Sequence, residues 1–225
     1  MTVLSFNLPI WRVFYDETPT TSTQDLLVLE LRNQQQVAWC AIDTVQEKVL
    51  WQKTFDEIDW WTSAVRFEAG ILRLHHYDNP EQLVPKKKSQ IDIITAQHSF
   101  NTTQSNESAA LNTRWQSSTA HTPASPYYQI LCSFVEKNTG QKPISTINYG
   151  EMFGNILAIH YFYHSNAFTL SRSILVVHSS KTTLLHQTIE DDAEADVLDV
   201  CIYNEKCIVC LKKQYELVVL KWLKP

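Results

Sequence analysis

Glycine is almost missing from this chain, at four residues in 225. Loops that cradle phosphate need several glycines where backbone amides approach a ligand, and no GxSxG, Walker A or GxGxxG spacing occurs. Nucleotide-binding and α/β-hydrolase chemistry of those kinds is excluded. An excess of basic charge is missing as well, with 19 Lys and Arg against 24 Asp and Glu, a net charge of −5 and a pI near 5.9. Phosphate backbones are gripped by clustered Lys and Arg, so nucleic acid is not an expected partner. No stretch approaches the roughly 18 apolar residues of a membrane span, so no membrane partner is expected. Between Met1 and Asp16 the one basic side chain, Arg12, follows the apolar residues instead of preceding them. No export signal is read there, and the expected compartment is the cytoplasm. Five cysteines (Cys40, Cys132, Cys201, Cys207, Cys210) are an odd number at irregular spacing, which suits reduced thiols better than a disulfide framework. The sequons at Asn101 and Asn106 are then chance matches.

What the chain does have is apolar content in short pieces. Hydrophobic residues make up 44% and charged residues 19%, ordinary for a globular protein. The apolar runs are five to eight residues long, alternate or are continuous, and favour Val, Ile, Leu, Tyr, Phe and Trp; no long segment carries a 3.6-residue stripe. Strands are expected at Trp11–Tyr15, Leu26–Leu31, Val37–Ile42, Lys48–Thr54, Ser63–Phe67, Ile71–Tyr77, Gln90–Thr95, Tyr127–Phe134, Pro143–Tyr149, Ile156–Tyr163, Arg172–His178, Thr182–Thr188, Val197–Tyr203, Cys207–Leu211 and Tyr215–Trp222. Gly70 and Gly154-Asn155 stand where a tight hairpin needs a positive φ, and Asn204-Glu205 is a weaker signal of the same kind. Asn138-Thr139-Gly140 marks another turn, and Asp78 to Lys88, with its triple lysine, reads as a solvated loop. From His98 to Ser125 the chain turns polar, with Phe100, Leu111 and Trp115 as its large apolar residues, a long loop or insertion with room for a short strand around Leu111–Trp115.

The hairpins repeat one another. Ile71-Leu72-Arg73-Leu74-His75-His76-Tyr77 after Gly70 parallels Ile156-Leu157-Ala158-Ile159-His160-Tyr161-Phe162 after Gly154-Asn155, and Ile208-Val209-Cys210-Leu211 is a weaker copy. Val37 to Gln52 likewise parallels Ile174 to Gln187. Such self-similarity is the mark of repeat architectures in which each unit is one sheet. Ala41-Ile42-Asp43-Thr44 followed by Lys48-Val49-Leu50-Trp51 resembles the blade repeat of quinoprotein-type (PQQ-like) β-propellers, with a degenerate copy at Ile174–Gln187 that has Ser179 for the Asp and His186 for the Trp. The whole chain also resembles small bacterial propeller-like proteins to which no activity attaches. The expectation is therefore an all-β fold over residues 1–225, a small β-propeller of about four or five antiparallel four-stranded blades, with a β-sandwich as the alternative. No PQQ or other cofactor is expected, since the resemblance implies a vicinal cysteine pair that this chain lacks.

Candidate chemistry is sparse. His160 and His164 stand four apart on a strand, about 13 Å, too far to share one ion. His75 and His76 face opposite sides. His75 and His160 occupy matching positions in the repeat, so they qualify as ligand-binding candidates at a channel mouth, without a third metal ligand. Cys207 and Cys210 point to opposite faces of a strand; with Asn204-Glu205 as the loop, Cys201 would stand opposite Ile208 and diagonal to Cys210. The acidic run Glu190-Asp191-Asp192, with Glu194 and Asp196, lacks the order of an EF-hand loop. Trp60-Trp61, beside Asp56, Glu57 and Asp59, could grip a sugar or a cation by stacking. No catalytic residue and no metal site is expected. The expected function is a non-catalytic binding or scaffolding module whose loops recognise a protein partner; the alternative is a small-ligand binder or metal-dependent hydrolase at the central channel mouth.

Overall fold

The computed structural model describes residues 1–16, 18, 25–34, 36–79, 81, 82, 84–100, 115–152, 156–193 and 201–221. Eighteen strands and one helix are found among them, and every strand pairing given by register is antiparallel. The all-β expectation holds. The chain divides into two compact units, Leu4–Trp115 and Gln116–Pro225 with Met1–Val3.

The Leu4–Trp115 unit holds two four-stranded meanders. One is β2 (Ile10–Tyr15), β3 (Leu26–Arg32), β4 (Val37–Asp43) and β5 (Lys48–Lys53); the other is β6 (Thr62–Glu68), β7 (Ile71–His76), β8 (Lys87–Asp92) and β9 (Gln97–Phe100). Their side chains alternate, so Val28, Trp39, Ala41, Phe67, Leu72, Leu74 and Ile91 form one core. The two meanders turn by the same device. Asp43 Oδ1 accepts the N–H groups of Val45 and Gln46, and Asp92 Oδ1 accepts those of Ile94 and Thr95. Four residues past each Asp, Glu47 and Ala96 both have φ 54°. Trp51 and Phe100 then stand at equal distances beyond their Asp, a repeat that Ile93-Ile94 hid within an expected strand Gln90–Thr95. Gly70 (φ 78°) and Ala69 (φ 49°) close the β6–β7 hairpin, and the buried carboxylate of Asp16 accepts both of their N–H groups at 3.0 Å.

In the other unit, β11 (Thr119–His121), β12 (Ile144–Met152), β13 (Ile156–His164), β14 (Leu170–His178) and β15 (Thr183–Asp191) form one sheet. A second runs in the order β1 (Thr2–Ser5), β18 (Glu216–Lys221), β17 (Cys207–Lys212), β16 (Cys201–Tyr203) and β10 (Gln116–Ser117). The first and last strands of the chain are thus neighbours. One face of β13 and β14 packs with Cys201, Ile208, Cys210 and Val218; the other carries Ile159, Tyr161, Leu175 and Val177 under helix α1 (Tyr128–Thr139). This double burial explains the continuous apolar runs Ile156–Ile159 in β13 and Ile174–Val177 in β14.

Four expectations are corrected. Tyr127–Phe134 is not a strand but the start of α1: its inward residues Tyr128, Leu131, Cys132 and Val135 follow helical spacing, concealed by a run rich in aromatic and aliphatic residues. Gly140, at φ 72°, ends the helix by donating to the Glu136 carbonyl at 2.8 Å. Lys87 and Lys88 are not loop residues but the exposed start of β8. The His98–Ser125 stretch is no single loop: His98–Phe100 belong to β9, buried Trp115 stacks on Tyr15, and β10 and β11 follow; residues 101–114 lie outside the described residues, as do Gly154-Asn155, Glu194 and Asp196. Lastly, Asn204 N–H bonds the Cys207 carbonyl, so Glu205-Lys206 is the hairpin loop, and Cys201 stands directly opposite Cys210 rather than Ile208.

Candidate functional site

Within the Leu4–Trp115 unit an open cavity of about 560 Å³ is lined by Trp11 and Arg12 of β2, Arg32 of β3, Trp60 to Ser63 leading into β6, and Tyr77, Asn79 and Gln82. Trp60 and Trp61, the expected ligand-binding pair, both line it. Trp11 joins them, with 58% of its surface exposed against 41% and 39% for the other two. Three partly exposed indoles thus surround one hollow.

The charge of the hollow is opposite to what the neighbouring acidic residues suggest. None of Asp56, Glu57 and Asp59 lines it. Asp59 is spent on its own turn, accepting from the Trp61 N–H at 3.0 Å and the Thr62 hydroxyl at 3.1 Å. The cavity side chains that carry charge are Arg12 and Arg32. Arg32 braces the wall: it pairs with buried Glu30, donates to the Thr62 carbonyl and, at 2.7 Å, to the Trp60 carbonyl, and lies 5.2 Å from the centre of the Trp60 ring. Glu30 is fully buried, its Oε2 has no hydrogen-bond partner among the described residues, and burial pushes its pKa up although Arg32 pulls it down. Arg32 is therefore largely committed to structure. Arg12 is exposed, donates to Ser63 Oγ at 3.2 Å, and presents positive charge to an incoming group.

His75 does not line the cavity. It sits half-buried on β7, its Nδ1 3.5 Å from the hydroxyl of Tyr77, which does, and burial followed by the nearby Lys88 charge lowers its pKa. Its neighbour His76 points inward, with ring nitrogens 3.0 Å from Thr62 Oγ1 and 2.6 Å from Ser89 Oγ. Burial above all, then the charges of His98 and other neighbours, lowers its pKa. Sequence reasoning missed this residue's part in holding Thr62 at the cavity wall.

His160 belongs to the other unit. There its ring and the thiols of Cys201 and Cys210 bring three ligand-type atoms within 4.8 Å of one another, all buried. The sulfurs are 3.4 Å apart, and none of the five cysteines forms a disulfide. The Cys201 thiol is pulled down to about 5, chiefly by its hydrogen bond from Cys210 and also by His160, against desolvation. The trio was illegible in the sequence because the hairpin register decides it: moving the loop by one residue exchanges Ile208 for Cys210 opposite Cys201.

Residues 20–100 match a family described as a domain of unknown function (DUF4905), a span that runs from β3 to β9 and takes in the cavity residues other than Trp11 and Arg12. No curated protein matches the chain. No described helix is long and apolar enough to cross a membrane.

Proposed function

We propose that this chain is a non-catalytic binding module of small β-propeller type, each of its four sheets serving as one blade, and that the tryptophan-lined cavity takes an acidic segment of a protein partner. The observation that carries the binding reading is the exposed Arg12 guanidinium set among Trp11, Trp60 and Trp61. Arginine grips a carboxylate through paired N–H donors, while indole faces cover the apolar stem beside it; Trp and Arg are the residues most enriched in binding hot spots. A propeller-type reading is supported by four antiparallel sheets of four or five strands, by the recurring Asp turn, and by the pairing of the chain's first strand with its last.

Because the ligand contacts indoles, binding should quench or shift tryptophan fluorescence. The test is titration with short peptides containing Glu or Asp next to an aromatic residue, with Lys-containing peptides of equal length as controls. Saturable, salt-sensitive binding of the acidic peptides, lost in Arg12→Glu and in Trp60→Ala while circular dichroism is unchanged, is expected. Equal binding of both peptide sets, or full affinity in Arg12→Glu, would sink the proposal.

A further inference from the structure

His160 is placed where a histidine is costly. It lies on β13 between Ile159 and Tyr161, is 2% exposed, and among the described residues neither ring nitrogen has an oxygen or nitrogen hydrogen-bond partner. A buried polar atom without a good partner is costly, so a site that offers the imidazole only thiols favours another occupant. The groups facing it are thiols. Cys201 and Cys210 are 5% and 0% exposed, and they are partners on the β16–β17 hairpin. Counting by alternation from the hydrogen-bonded Asn204–Cys207 pair, theirs is a non-hydrogen-bonded position, where side chains stand closest.

We propose that His160, Cys201 and Cys210 bind a single zinc ion. Zinc takes sulfur at about 2.3 Å and imidazole nitrogen at about 2.0–2.1 Å, which in a tetrahedral site sets the sulfurs about 3.8 Å apart. The observed 3.4 Å separation needs only small side-chain rotations to reach that value. Charge selects the ion. The nearby Arg172 is already paired with Glu190 at 3.2 Å. Two thiolates, a neutral imidazole and Zn²⁺ sum to zero, whereas a monovalent soft cation leaves a net negative charge in an apolar interior. Binding displaces the proton that Cys210 donates to Cys201 and gives one ring nitrogen of His160 a partner. The fourth position falls to a water molecule, which keeps the assembly neutral. The ion would join β13 to the β16–β17 hairpin, two sheets of one unit.

The experiment uses the full chain, without a polyhistidine tag, purified under reducing conditions without chelator. Elemental analysis should give one zinc per chain. Replacement by cobalt should produce a thiolate-to-cobalt charge-transfer band in the near ultraviolet, which directly reports sulfur ligation and does not depend on any variant folding. Cys201→Ser, Cys210→Ser and His160→Gln should each lose the metal, and Cys40→Ser should keep it. Absence of zinc or cobalt uptake by folded, reduced wild-type protein overturns the proposal. So does metal retained in Cys201→Ser or His160→Gln, or ready oxidation of Cys201 and Cys210 to a disulfide in protein that takes up no metal when reduced.

Discussion

Arg32→Met removes the guanidinium against which fully buried Glu30 is held. Burial already raises the Glu30 pKa with Arg32 in place, so without it the carboxylate must either stay charged in an apolar core or take up a proton. The carbonyls of Trp60 and Thr62 lose a charged donor at the same time. Breaking a buried pair by removing one partner costs about 3–5 kcal/mol. With a urea m-value of about 2 kcal/mol per M, the midpoint should fall by about 2 M, followed by tryptophan fluorescence and far-ultraviolet circular dichroism. The double variant Glu30→Leu with Arg32→Met tests the cause. If the penalty is an orphaned carboxylate, the second substitution recovers most of the loss, because a buried pair replaced by apolar residues is often neutral or better. A loss under about 1 kcal/mol for Arg32→Met, or a double variant no more stable than the single one, would refute the reasoning, since either result means that Glu30 does not depend on Arg32.

Asp16→Ala takes the acceptor from the Gly70 N–H and leaves the Ala69 N–H to Thr18 Oγ1 alone, and should cost about 1–3 kcal/mol, read by chemical denaturation, with faster hydrogen exchange at the β6–β7 turn. Gly150→Ala places a methyl inside the Tyr203 ring and should cost about 1–3 kcal/mol, whereas Gly150→Ala with Tyr203→Leu should lose less than the sum of the two singles. Burial lowers the pKa of His76 and of His98, so the fold prefers both neutral. Stability from this source is present above the unfolded value near 6.5 and is lost as pH falls through it toward the folded values; His76→Asn should flatten the fall in stability below about pH 6.5, and an unchanged slope would count against it. Native-state alkylation should reach half-buried Cys132 first, while Cys40, fully buried with its thiol pushed up to about 12, should react only on unfolding.

Most of the strands were legible in the sequence, because period-2 alternation and turn residues act over a few positions and need no partner. The same locality exposed Gly70 as a turn and Trp60-Trp61 as a candidate surface. Residues Tyr128 to Val135 mark its limit: aromatic and aliphatic side chains mask a helical stripe that shows itself only once one face is buried on β12 to β14. The tertiary structure alone decided the rest, because it depends on which distant groups meet. Asp59 turned into its own loop and Arg12 brought beside Trp60 and Trp61 give the hollow arginines where the acidic sequence neighbours suggest carboxylates. A one-residue difference in hairpin register brings Cys201 to Cys210, and the packing of one sheet on another adds His160, 41 positions before the first of them. Neither short-range pattern nor composition records such an approach, since a strand's alternation says which residues turn inward and not what they find there.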